Sequence, residues 1–162
     1  MSTGKWREEG VPHKGWTCVD VTDLGPDEED RGTCEMCEVA EIRFSHTMVH
    51  PEYEGELAVG CICASHMEGD YVGPRERERP LRRRARRRLA WGKRLWSQGG
   101  AGVTQTRTRG TDVTVFWDDH LSGWRIRLVK AGRVVQGQKV YPAAADARRA
   151  AFDAVLWLEG KQ

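Results

Sequence analysis

Cys34-x-x-Cys37 and Cys61-x-Cys63 gather four of the five cysteines into two close pairs with 23 residues between them. Two thiolates on one tight turn can reach a single cation at about 2.3 Å, and a second pair completes the tetrahedron that borderline-soft Zn²⁺ accepts. The expected ligand set is Cys34, Cys37, Cys61 and Cys63 around one structural zinc, with His50 or His66 as alternates for one cysteine. On a regular strand the Cα atoms of Cys61 and Cys63 would stand about 6 to 7 Å apart, so Cys63 is expected where a strand turns into a helix, a bend that Gly60 eases. His46 and His50 would lie about 13 Å apart on one strand, so at most one of them binds this ion. Cys18 is left as a buried thiol.

A catalytic zinc is the competing chemistry. His50-Pro51-Glu52 fits the His-x-Glu of zinc deaminases, but those enzymes place their Cys-x-x-Cys downstream, after a proline. Here the order is reversed and the proline is missing. Four thiolates also leave no open coordination position for a substrate or water.

The second feature able to do chemistry is a run of guanidinium groups. Between Arg75 and Arg94 stand eleven basic residues against two acidic ones, Glu76 and Glu78, and six of the seven positions 82–88 are arginine. Guanidinium forks match phosphate geometry, and neutralising phosphates releases counterions, the usual source of sequence-independent nucleic-acid affinity. Two other readings compete, a solvated helix face and pairing with acidic residues of the same chain. The net charge of +2 conceals an asymmetry. Residues 1–73 hold 5 Lys and Arg against 16 Asp and Glu, or −11, and residues 74–162 hold 21 against 8, or +13. An anionic partner for the basic half, contact between the halves, or both, would follow from this.

These groups need elements to hold them. Trp16 to Val21 alternates as a strand, and Leu24 to Arg31 breaks it as a loop. Ile42, Phe44, His46, Met48 and His50 fall at period two on one inner strand face, Leu57 to Cys61 is the return strand, and Ala64 to Tyr71 a short helix. Leu81, Ala85, Leu89, Gly92 and Trp96 form one stripe on a basic helix of about four turns. Gln98 to Gly102 reads as a Gly-rich linker. Thr111 to Trp117, Trp124 to Val129 and Arg133 to Tyr141 read as three antiparallel strands, and Ala143 to Leu158 as the last helix. On the second strand Trp124, Ile126 and Leu128 should face that helix while Arg125 and Arg127 point away.

The expected architecture is therefore α+β: an acidic zinc module over 1–73, a basic amphipathic helix over 74–97, a linker over 98–110, and a βββα domain over 111–162 with one helix packed on a three-stranded antiparallel sheet. No apolar run of about 18 residues or more and no apolar leader stand in the chain, so a cytoplasmic protein without membrane contact is expected.

A knuckle, a hairpin and ligands at a helix start resemble the treble-clef zinc fold, although that fold supplies its second pair as Cys-x-x-Cys. Residues 34–71, through Ile42-Arg43-Phe44-Ser45-His46, His50-Pro51, Leu57-Ala58-Val59-Gly60-Cys61-Ile62-Cys63-Ala64 and Met67, are similar to a family of small uncharacterised zinc-knuckle proteins of bacterial and phage genomes. That resemblance implies a zinc-holding core and a bacterial or phage source. The last third, with Ala147-Arg148-Arg149-Ala150-Ala151-Phe152-Asp153-Ala154-Val155-Leu156, resembles a double-stranded-RNA-binding domain, and its βββα order resembles the small DNA-binding modules at the N-termini of phage integrases. Ala144 and Ala145 stand where the RNA-binding family opens its helix with a lysine pair, so RNA specificity is not implied.

The function expected from the sequence is non-enzymatic nucleic-acid binding, to DNA or RNA, through Arg82, Arg83, Arg86 and Arg87 on the helix and Arg125, Arg127 and Lys139 on the sheet. The alternative is an adaptor whose zinc module docks a protein partner. A zinc-dependent enzyme acting on nucleic acid is third.

Overall fold

The computed structural model describes residues 3–160. Strands and helices mix as an α+β chain that divides into two compact units, Met1–Arg86 and Arg87–Gln162. Among the described residues no helix is long and apolar enough to cross a membrane.

In the first unit, β1 (Thr17–Asp23) leads to β2 (Gly32–Thr33), β3 (Glu41–Ile42), β4 (Phe44–His50), β5 (Tyr53–Val59) and α1 (Cys61–Glu68). β1, β4 and β5 form an antiparallel sheet with β4 in the centre, and β2 pairs with β3 as a separate ribbon. The expected strand from Ile42 to His50 is thus cut at Arg43, whose guanidinium grips Asp23 at 2.8 and 3.0 Å. α1 packs on β4 and β1. Its helical pattern already starts at Cys61, with Ile62 exposed and Cys63, Ala64 and Met67 buried. Apolar burial of Trp6, Trp16, Met36, Met48, Leu57, Val59 and Met67 forms the core.

α2 (Gly73–Gly92) starts next to the expected 74 but stops at Gly92, short of the expected 97, which leaves Trp96 outside it, and it carries Pro80 inside. Asp70 supports the start, its carboxylate accepting the N–H groups of Val72 and Gly73 that a helix end leaves orphaned. Within the first unit the buried positions of α2 are Pro74 and Glu78, with Leu81 and Ala85 half-buried, whereas Leu89 is 65% exposed. The expected apolar stripe is therefore corrected, because its deepest member is a carboxylate. The boundary between the units falls inside α2.

The second unit adds β6 (Ser97–Gln98), β7 (Thr104–Thr108), β8 (Thr111–Asp118), β9 (Gly123–Lys130), β10 (Arg133–Gln136) and α3 (Ala144–Glu159). The expected three-stranded sheet is corrected to five strands in the order β10-β9-β8-β7-β6, all antiparallel. Segment 98–110 contributes β7, whose Thr104, Thr106 and Thr108 pair with Val115, Val113 and Thr111. The last expected strand stops at Gln136, and Tyr141 returns only as a bridge to Trp124. α3 lies on β8 and β9, burying Val113, Val115, Ile126 and Leu128 beneath Ala147, Ala151, Phe152, Val155 and Leu158. Trp91 joins this core, and its indole N–H donates to the Arg148 carbonyl at 2.7 Å.

Candidate functional site

The knuckle is built by backbone geometry. Glu38 at φ 58° is in the left-handed region, which lets its N–H reach back to the Cys34 carbonyl at 2.7 Å, while the Cys34 N–H donates to Ala40. Glu35 fixes the knuckle to β5 through two bonds, its N–H to the Ala58 carbonyl and its carboxylate from the Ala58 N–H. Gly4 closes against it, since a Cβ there would stand 2.7 Å from the Cys37 carbonyl carbon.

Cys34, Cys37 and Cys63 converge, their sulfurs within 4.8 Å of one another, and could hold a metal ion. Cys34 is fully buried and Cys63 nearly so. Cys34 is held down to about 5, first by a hydrogen bond from Cys63 and further, against burial, by the backbone N–H groups of Cys37, Gly60 and Met36. Cys63 is pushed up by the same bond and by burial. The buried indole N–H of Trp6 has no conventional acceptor and lies against Cys63, where it favours the thiolate. Backbone and indole N–H groups aimed at sulfur suit a metal-bound thiolate.

Cys61 is not in this cluster. Because α1 starts at Cys61, residues 61 and 63 are about 200° apart around the helix axis, so both cannot face one ion. Cys61 instead faces Glu78, and burial followed by that carboxylate raises its thiol. His50 turns to Trp16, with ring centroids 5.4 Å apart, and its Nδ1 accepts the Glu52 N–H. His66 shares the Cys63 side of α1, but its ring meets Trp6 edge-on and its Nδ1 is 3.2 Å from the Tyr71 hydroxyl.

The basic residues separate into two groups. Arg82 donates two bonds to Glu78 at 2.6 and 2.8 Å and stacks over Phe44. Arg87 is held bidentately by Glu159, both bonds 2.9 Å, and Arg125 by Asp118 and the Gly137 carbonyl. Pairing within the chain thus accounts for these three. Arg83, Arg86, Arg127 and Lys139 are exposed, the last two lying over the Phe116 and Tyr141 rings. Arg127 stands opposite Thr114 and Arg125 opposite Phe116, on the sheet face away from α3 as expected.

One groove in the first unit is lined by Arg75, Arg79, Arg82, Arg83 and Arg86 together with Cys61, Glu76 and Glu78. These arginines fall at i, i+4, i+7, i+8 and i+11 along α2, one helix face about 16 Å long. Of its two acids, Glu78 is consumed by Arg82 and His46, and Glu76 reaches only Arg79 in an exposed pair. Sequence reasoning missed Arg75 and Arg79, whose signal was their helical spacing from Arg83 and Arg86, and it missed Trp6 because no pattern surrounds it. No family model, curated protein or solved structure matches the chain.

Proposed function

We propose that this protein binds nucleic acid without catalysis, through the arginine face of α2, and that a structural zinc on Cys34, Cys37 and Cys63 stabilises the first unit. The observation that carries the reading is the groove, where five guanidinium groups share one helix face and the one nearly buried acid is already neutralised. Among the described residues no aromatic side chain lines it, which suits a grip on phosphates rather than stacking on bases. Arg127 and Lys139 offer further phosphate contacts from the second unit. Zinc suits the site because three soft sulfur ligands within 4.8 Å of one another match three corners of a thiolate-rich tetrahedron, the fourth ligand lying outside this cluster.

The test is a salt series on a random-sequence duplex. If Arg75, Arg79, Arg83 and Arg86 each neutralise one phosphate, log K falls against log salt with a slope of about −3.6. Replacing Arg83 and Arg86 by alanine should halve that slope to about −1.8, since both are exposed and make no ion pair among the described residues. A double variant with the parent slope would reject the groove as the site.

A further inference from the structure

A second cluster in the first unit lies apart from the metal centre and shares only Glu78 with the groove. His46, at the centre of the sheet on β4, is fully buried, and its Nε2 lies 3.0 Å from Oε1 of Glu78, itself 2% exposed. The other Glu78 oxygen accepts both bonds from Arg82. A carboxylate so engaged is an acceptor toward the histidine, which places the imidazole proton on Nε2 and leaves the Nδ1 lone pair free. Across the ring, that Nδ1 faces the Cys18 sulfur at 3.8 Å. Cys18 is half-buried on β1, where the register against β4 shifts between Cys18 and Asp20 and leaves Val19 exposed. Cys18 itself stays partly exposed there. Burial raises the Cys18 thiol and the Glu68 carboxylate adds to this, while the Arg77 guanidinium favours the ionised sulfur, and the thiol donates to the Asp20 carbonyl at 3.3 Å, so the sulfur needs a base to lose its proton.

We propose that Cys18, His46 and Glu78 form a thiol-activating relay, making Cys18 a nucleophile toward small disulfides. Thiol, base and orienting acid within reach of one another are the arrangement that activates a nucleophile. In the reaction the Cys18 S–H proton moves to His46 Nδ1 while the Cys18 sulfur attacks one sulfur of R–S–S–R. The reagent's S–S bond breaks, a Cys18–S–S–R bond forms, and the departing R–S⁻ takes the proton from His46. Cys18 is oxidised to the mixed disulfide as the leaving half of the reagent is reduced to a thiol, so no further oxidant is needed. Disulfide exchange fits better than acyl transfer because it needs an activated, accessible sulfur and no cradle for an oxyanion.

The test incubates the full zinc-loaded chain with glutathione disulfide and locates the adduct by peptide mass mapping over time. Cys18 should react at least about 10-fold faster than an unstructured cysteine peptide at the same pH. His46→Gln, which keeps an amide opposite Glu78, should remove that advantage. Burial without a base predicts the opposite, a thiol slower than the peptide. Reaction slower than the peptide, adducts at Cys61 ahead of Cys18, or a folded His46→Gln variant as fast as the parent would each overturn the relay. The comparison with the peptide needs no variant, so it decides the matter even if His46→Gln does not fold.

Discussion

Serine substitutions at the four paired cysteines should not be equivalent. Zinc bound to small modules carries an apparent folding free energy of about 10 to 16 kcal/mol, so an equal share for each of three thiolates is about 3 to 5 kcal/mol. Losing one weakens binding by about 10² to 10⁴-fold and consumes much of the roughly 5 to 15 kcal/mol that holds a domain together. Cys34→Ser, Cys37→Ser and Cys63→Ser should each lose zinc to a competing chelator and the near-ultraviolet signal of Trp6 and Trp16, both buried in that core. Cys61→Ser should keep one zinc per chain, because its side chain faces Glu78 from the other side of α1. Zinc content by chromogenic chelator release, with circular dichroism on each sample, is the assay. A Cys61→Ser protein that loses its zinc, beside a Cys63→Ser protein that retains it, would refute the assignment.

Without metal, urea stability of the first unit should rise as pH increases from about 5 toward the ordinary thiol range. The folded state holds Cys34 ionised down to about 5 while the unfolded chain stays protonated, and above that range the raised Cys63 reverses the slope. Urea midpoints of metal-free protein across this pH range should show the rise, and Cys34→Ser should flatten it. Ala131 sits at φ 48° in the two-residue turn with Gly132 between β9 and β10, so Ala131→Asn should stabilise the second unit by about 1 kcal/mol, read as a Tm increase of about 4 to 8 °C. Glu159→Ala should destabilise the same unit by about 1.5 to 3 kcal/mol, measured by thermal denaturation, because it leaves the half-buried Arg87 guanidinium unpaired.

The mix of helices and strands, the three clustering cysteines and the final helix were legible because each rests on local pattern: paired cysteines, alternation, and an apolar helix face over Ala144–Glu159. What stayed hidden depended on partners distant in sequence. Glu78 broke the apolar stripe of α2 and made its buried face look shifted toward Leu89, yet His46 and Arg82 together make that carboxylate acceptable inside the sheet-facing turn. β7 carries Thr-Gln-Thr-Arg-Thr, strand-forming but with no apolar residue beyond threonine methyls, and the glycines before it gave the whole segment the look of a linker. Cys61 was misplaced by three residues of helix boundary, enough to turn its sulfur from the cluster to the groove.

The clasp of Arg125 bears on how the protein behaves when concentrated. An outermost strand is a template for another chain, and natural sheets blunt such edges with brevity and charge. Here one edge, β6, is only two residues long, and at the other β10 gives way after Gln136 to Gly137, whose N–H is tied to Ile126 and whose carbonyl is taken by the Arg125 guanidinium. Gly137 thus still pairs its N–H with β9, while its carbonyl is held by a side chain of that strand. The ladder between β9 and β10 therefore ends on a side chain, and an arginine first singled out for an anionic partner also fixes where β10 stops.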